Sequence, residues 1–265
     1  MDKASVSGVL VGLGGITAGL LIEGGNLGQI LQPTAAMIVF GGTFGAVLLQ
    51  FPLPIVLTAF RRFIDVFVEP KLNAGQMITQ LVGYANQARK NGIVSLDAET
   101  EKIGDPFLKK SLMLAVDGTE PQELRKIMEL ELDNIGERDE HVPKVFESAG
   151  GFSPTIGIIG AVLGLIQVMQ HLQNIDEVGR GIAVAFVATI YGVGAANLFF
   201  LPTAGKLKLR MREEQMLREM TLEGVISILE GMNPRMLETK LLGYLQETKK
   251  EEAKETKKAQ AEAEA

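Results

Sequence analysis

Four stretches of this chain are apolar for long enough to cross a bilayer, and nothing else in the sequence restricts the fold as much. Spanning the hydrocarbon core takes about 20 apolar residues. The runs Ser5–Ile22, Pro33–Phe51 (continuing through LPIVLTAF to Phe60), Phe152–Met169 and Gly181–Leu201 approach or meet that length. Backbone in lipid must satisfy its own hydrogen bonds, so such runs fold as helices. The sequence therefore predicts an all-α integral membrane protein with four transmembrane helices, grouped 2+2, and a large helical cytoplasmic loop between the pairs.

Orientation follows from the bias of Lys and Arg near the helix ends. Lys3, Arg61, Arg62, Lys71, Lys144, Lys206, Lys208, Arg210 and Arg212 fall on one side, while the opposite loops EGGNLGQILQ and HLQNIDEVGR hold only Arg180. Both termini and the central loop are thus expected in the cytoplasm. The first run lacks a small-x-small cleavage site and reads as a retained anchor. The expected organisation is 1–60 for transmembrane helices 1 and 2, 61–149 for a cytoplasmic helical domain, and 150–205 for helices 3 and 4. Cytoplasmic helices follow over 206–245, and 246–265 is a mixed-charge tail, solvated or disordered.

In the loop, Met77, Ile78, Leu81, Val82 and Ala85 recur at helical spacing, as do Leu124, Ile127, Met128, Leu132 and Ile135. Gly92, Gly104, Gly118, Pro106 and Pro121 punctuate these helices. A further break is expected at Gly231-Met232-Asn233-Pro234. Met211, Met216 and Met220 read as packing residues rather than a metal site.

The membrane runs carry stripes of small residues: Gly8, Gly12, Gly15 and Gly19; Pro154, Gly157, Ala161 and Gly164; Gly181, Ala185, Ala188 or Thr189, Gly192 and Ala196. Such stripes let helix backbones approach closely, and three of them exceed the needs of one small bundle, so assembly with further helices is expected. Equally telling is what the runs lack. Apart from His171 at a helix end, no Asp, Glu, Lys, Arg or His lies between Glu23 and Arg61, between Glu147 and Asp176, or between Arg180 and Lys206. A proton or ion path ordinarily contains an ionisable group. This chain could line a path with Ser153, Thr155, Thr189, Tyr191 or Asn197, but an acid would have to come from a partner. Single Ser and Thr residues also commonly satisfy their own helix backbone. His141 and His171 show no carboxylate at a pairing spacing and read as surface histidines.

The segments FSPTIGIIGAVLGLI, GRGIAVAFVATIYGVGAANLFFLPTAGKLK and EGVISILEGMNPRMLETKLLGYL, with QARKNGIVSLDAE and MLAVDG in the loop, together resemble the A subunit of flagellar motor stators, the MotA/PomA family, over roughly residues 5 to 245. The resemblance implies a ring-forming subunit of an ion-channel complex that converts ion-motive force into torque for motility, in the bacterial inner membrane. It implies a homopentamer around two B subunits whose aspartates carry the ion, and contact with the rotor protein FliG. Arg89 and Asp97 match the family's rotor-contacting charges, Asp97 standing where glutamate is usual, with Glu99 near enough to share the role. Pro154 and Pro202 match the family's two functional prolines. Sodium-driven relatives carry threonine at the position of Ala161, whereas Thr189 is shared by both types. Losing the hydroxyl at 161 points to protons as the coupling ion; Thr155 or Ser153 still offers oxygens.

An ExbB- or TolQ-like energiser of envelope processes is an alternative, although those relatives usually have three membrane helices. A passive membrane scaffold is another. There is no cysteine, so no disulfide framework or thiolate metal site is expected, and the net charge of −6 argues against nucleic acid. No nucleophile elbow, phosphate-cradling loop or metal-ligand cluster occurs, so neither an enzyme nor a bound cofactor is expected.

Overall fold

The computed structural model describes residues 2–68 and 74–244. The expected tail, 246–265, and Lys71 lie outside the described residues. Every regular element among the described residues is helical, and four helices are long and apolar enough to cross a membrane. The all-α expectation holds.

The chain divides into two compact units, 1–70 with 138–210 and 71–137 with 211–265. These divisions fall inside long helices rather than at the expected boundaries near 149 and 205.

In the first unit, α1 (Lys3–Ile22) and α2 (Pro33–Gln50) are joined through the 3₁₀ turn Leu27–Ile30. Asp2 caps α1 by accepting from the Ser5 N–H at 3.0 Å. Its carboxylate also accepts from Lys206 and from Arg210 (3.0 Å), which ties the start of α1 to the chain beyond the fourth span. The Lys206 hydrogen bond, backed by the Ser5 amide, holds the Asp2 carboxyl far below the usual carboxylate range. The Asp2 N–H and the Ser5 hydroxyl donate to the carbonyls of Phe67 and Val66.

The second span does not run on to Phe60 as expected. Phe51 is extended (φ −119°, ψ 141°) because the ring of Pro52 disfavours helical backbone before it, and α3 (Leu53–Phe63) starts afresh. Helix α3 buries Val56 and Ala59, exposes Leu53, Leu57 and Phe60, and carries Arg61 and Arg62 in its last turn.

The third and fourth spans belong to much longer helices. Helix α7 runs from Pro121 to Gln170 without a break at Gly136, Gly150 or Gly151, and encloses Pro143 and Pro154. After a tight turn, α8 (Ile175–Ala195) is capped by Asn174 and passes through a π-helical turn, Ala196–Phe200, into α9 (Leu201–Leu229).

In the second unit, α4 (Ala74–Asn91), α5 (Asp97–Thr100) and α6 (Pro106–Val116) pack with the ends of α7 and α9 and with α10 (234–244). Its core contains Leu81, Leu96, Leu108, Leu112, Leu124, Met128, Met220, Val225, Leu237 and Leu241. The loop stripes behave as their spacing predicts, with Ile78, Leu81 and Ala85 buried on α4 and Leu124, Met128 and Leu132 on α7. Met220 is core, in keeping with a packing role. Gly231, at φ +74°, ends the helix before α10, at the expected break.

Candidate functional site

Helices α7 and α8 meet backbone to backbone. A Cβ added at Gly192 would lie 2.6 Å from the Ser153 carbonyl oxygen, 3.1 Å from the Gly157 Cα and 3.2 Å from the Pro154 Cα. At Gly157 it would lie 2.9 Å from the Ala188 carbonyl oxygen and 3.5 Å from the Thr189 Cα. Any side chain at either position would wedge the helices apart, which explains the surrendered side-chain surface. The contact continues outward through Gly164, whose Cβ would meet the Gly181 carbonyl at 2.7 Å. Ser153, fully buried, clamps the crossing by donating its hydroxyl to the Gly192 carbonyl at 3.0 Å.

Two stripe readings need correction. In helix 3 it is Gly160, not Ala161, that faces Ala188, at 2.7 Å from an added Cβ; Ala161 is half-buried one residue further on. The α1 stripe is open: Gly8, Gly15 and Gly19 have nothing within 4 Å, and only Gly12 meets a neighbour, Leu198. The stripes of α7 and α8 are therefore used within one chain, and that of α1 is used only at Gly12.

Both functional-proline candidates lie within helical runs. Pro154 does not mark a helix end; it sits deep inside α7, where its missing N–H leaves the Gly150 carbonyl without its helical donor. Pro202 is the second residue of α9, directly after the π turn. The extra residue in a π turn makes room for a ring that would otherwise strike the carbonyl four residues earlier. An added Cβ at Gly150 would meet the Leu201 side chain at 2.6 Å and the Phe200 Cβ at 3.5 Å. The turn loosened by Pro154 thus packs on the residues that join the π turn to Pro202. Each proline was legible in the sequence; their juxtaposition was not.

The hydroxyls named as path candidates all donate to backbone carbonyls. Thr155, exposed, donates to Phe152 (2.8 Å), and Thr189, half-buried beside Gly157, to Ala185 (3.2 Å). With its proton committed, each oxygen turns only lone pairs outward. The structure brings Pro154, Gly157, Thr189 and Gly192 together and leaves Thr155 and Ala161 outside that contact. Asn197 Nδ2 donates to the Val193 carbonyl (2.9 Å). Tyr191 does something the sequence does not signal: its hydroxyl donates to the Ile30 carbonyl (2.5 Å) and accepts from the Gln32 N–H (3.2 Å). Gln32 precedes α2 without capping it through its side chain, so Tyr191 satisfies the loop where the helix begins.

The surface candidates lie in the second unit. Arg89 is exposed in the last turn of α4, and Gly92 (φ +82°) reverses the chain into the 3₁₀ turn Ile93–Leu96. Leu96, fully buried, anchors this turn, and the Gln87 side chain donates to the Ser95 carbonyl at 2.9 Å. Asp97 opens α5 and is exposed. Neither Arg89 nor Asp97 has an ion-pair partner among the described residues, whereas Glu99 is already paired with Lys102 at 3.0 Å.

His171, read as unpaired, in fact has a carboxylate. The chain turns back on itself and brings Glu177 Oε2 to 3.2 Å from Nε2. No group of three or more possible metal ligands occurs among the described residues.

Known proteins match over almost the whole chain. Residues 99–220 match the MotA/TolQ/ExbB proton channel family and residues 6–92 the motility protein A N-terminal family. Motility protein A of Bacillus subtilis is 37% identical over 246 residues, covering 92% of this chain and 91% of that protein. The flagellar MotAB stator complex from Bacillus subtilis contains a chain with TM-score 0.86 and 35% identity, covering 95% of this chain and 99% of that one. A MotAB structure from C. jejuni matches with TM-score 0.87 and 30% identity, over 92% and 96% of the two chains.

Proposed function

The chain belongs to the MotA/TolQ/ExbB proton channel family, in its motility protein A branch, and from that premise we propose that it is the A subunit of a proton-driven flagellar stator. It works with a MotB-like B subunit, as the chains in the similar MotAB complexes do. The observation that carries the reading is the α7–α8 crossing: backbone to backbone, flanked by the abutting turns of Pro154 and Pro202, with no Asp, Glu, Lys, Arg or His over 148–170 or 181–195.

Such a pair can guide an ion but not bind a proton covalently, so the acid comes from the partner helix. Each elementary charge that crosses makes about 2.3 kcal/mol available per 100 mV. Turns that lack a backbone hydrogen bond are where a helix bends at least cost. Pro154 and Pro202 are therefore the hinge that a charge change on the partner's acid would work.

Protons are the coupling ion in this reading. A dehydrated cation needs several oxygen ligands at once, and Ala161 offers none. The exposed pair Arg89 and Asp97 touches the rotor, FliG. Such contacts are individually weak, about 0–1 kcal/mol, which suits steering and repeated engagement. Five copies surround two B subunits in the inner membrane, both termini and the second unit being cytoplasmic, as the Lys and Arg bias directs.

The test is rotation of single motors, read by a bead on the filament stub, in a stator-deleted strain given this chain and its genomic partner. Stepwise recovery of speed supports the reading, and a motor that stays still while the complex is inserted refutes it. Recovery lost on replacing sodium by potassium would overturn the proton assignment. The double variant Arg89→Ala/Asp97→Ala assembles but loses torque at high load; normal torque would remove both residues from the rotor contact.

A further inference from the structure

We propose that the outward face of α3 is a binding site for acidic phospholipid, with Arg61 taking the headgroup phosphate.

The first observation is where α3 goes. A helix running straight on from the second span would put Phe60 about 24 Å beyond Phe44, at 1.5 Å per residue. Instead the centres of the two rings are 5.8 Å apart. Helix α3 therefore turns back against its own span and stays at the depth of the membrane edge.

Its sides separate by chemistry. Val56 and Ala59 are buried against the protein. Leu53, Leu57, Phe60 and Ile64 recur at helical spacing and form one stripe that is 47% to 63% exposed. The stripe is continuous with the lipid-facing surface of α2, where Leu48 and Leu49 are also exposed. Apolar area at that depth is covered by acyl chains. Pro54, Thr58 and Arg61, all exposed, make up the third side, so the guanidinium leaves the helix at the border between the stripe and water.

Charge selects the headgroup. The Arg61 side chain has no ion-pair or hydrogen-bond partner among the described residues. The carboxylates at this edge are taken by other cations: Asp65 and Asp139 lie 3.3 and 3.9 Å from the Arg62 guanidinium, and Asp2 accepts from Lys206 and Arg210. Lys3, exposed and likewise without an acidic partner, is held at the same edge, because the Asp2 N–H and the Ser5 hydroxyl donate to the Phe67 and Val66 carbonyls (2.9 and 2.8 Å). A guanidinium presents a planar fork that matches two phosphate oxygens. In a zwitterionic lipid the headgroup's own ammonium competes for that phosphate; in an acidic one nothing does.

That this leaflet is the cytoplasmic one rests on the orientation proposed above; the lipid site does not. The chain has no tryptophan, so Leu57→Trp places a reporter on the stripe and Thr58→Trp places one on the water side. The full chain with its B subunit is reconstituted in nanodiscs whose lipids carry bromine on the acyl chains, and the complex without the added tryptophan gives the background. Bromine quenches Leu57→Trp and leaves Thr58→Trp far brighter. In discs of mixed headgroup, brominated phosphatidylglycerol reaches half-quenching of Leu57→Trp at about one-fifth of the mole fraction that brominated phosphatidylcholine needs, the factor one basic residue near the surface supplies. Adding Arg61→Gln removes that preference while quenching by the acyl chains persists, which shows that α3 is still seated. An unquenched Leu57→Trp means that protein or water covers the stripe and overturns the proposal. Equal quenching by the two lipids, or a preference that survives Arg61→Gln, overturns the headgroup assignment. A motor that never turns, with the preference present, refutes the stator reading and leaves the lipid site intact.

Discussion

Replacing Gly192 by alanine adds one methyl group where the structure has none to spare. The new Cβ would sit 2.6 Å from the Ser153 carbonyl oxygen, with the Gly157 and Pro154 Cα atoms at 3.1 and 3.2 Å. All three are backbone atoms and cannot rotate away, so the helices themselves must part. Overpacking of this kind costs about 1–3 kcal/mol. Parting also stretches the Ser153 hydroxyl bond to the Gly192 carbonyl, worth about 0.5–1.5 kcal/mol. Against this, alanine is a better helix former than glycine by about 1 kcal/mol. The net is a loss of roughly 1–3 kcal/mol. Gly194, two residues on in the same helix, is the control, because an added Cβ there has nothing within 4 Å. Only the propensity gain remains for Gly194→Ala, which is neutral to stabilising by up to about 1 kcal/mol. Unfolding of the purified chain by SDS titration in mixed micelles, followed by circular dichroism, measures both. Equal stabilities, within about 0.5 kcal/mol, would show that the crossing has slack and refute the close-contact argument. Ser153→Ala separates the hydrogen bond from the packing.

Tyr191→Phe keeps the ring and removes two hydrogen bonds from the loop before α2, costing about 1–2 kcal/mol. Faster amide exchange over 24–33 than in the parent chain is the expected readout, and unchanged exchange would show that water replaces the hydroxyl. Glu223 bridges Lys240 and Arg125, linking α10 and α7 to α9. Burial pushes its carboxyl up, but the hydrogen bonds from Lys240 and Arg125 outweigh burial and hold it below the usual range. Its contribution is therefore complete above the unfolded value, near 4.3, and is lost as pH falls through the lower folded value. Thermal melting should show a step of acid destabilisation below about pH 4 that shrinks in Glu223→Gln; an identical acid limb in both would refute it. At neutral pH that variant costs about 1–2 kcal/mol, tempered by the partial exposure of both cations.

The sequence by itself determined the membrane class, the number of spans, the helical periodicity of the cytoplasmic segment and the lack of any acid within the spans. Each depends on residues close together in the chain: an apolar run, a stripe at three and four residues, a charge that is missing. The small stripes on helices 3 and 4 were legible for the same reason, but their use was not. Whether a stripe meets a helix of the same chain, as Gly157 meets Gly192, or stays open, as on α1, depends on which backbone the fold brings alongside. Likewise Ser-Pro-Thr resembles a helix start, yet the packed helix continues through Pro154; contacts across the crossing offset the hydrogen bond it removes. The remaining features pair residues distant in the chain: Asp2 with Lys206 and Arg210, Tyr191 with Ile30, and the turn of Gly150 with Leu201. Even His171 and Glu177, six positions apart, meet only because the chain reverses between them. Local patterns fix which elements form, whereas partners across elements exist only once those elements have packed.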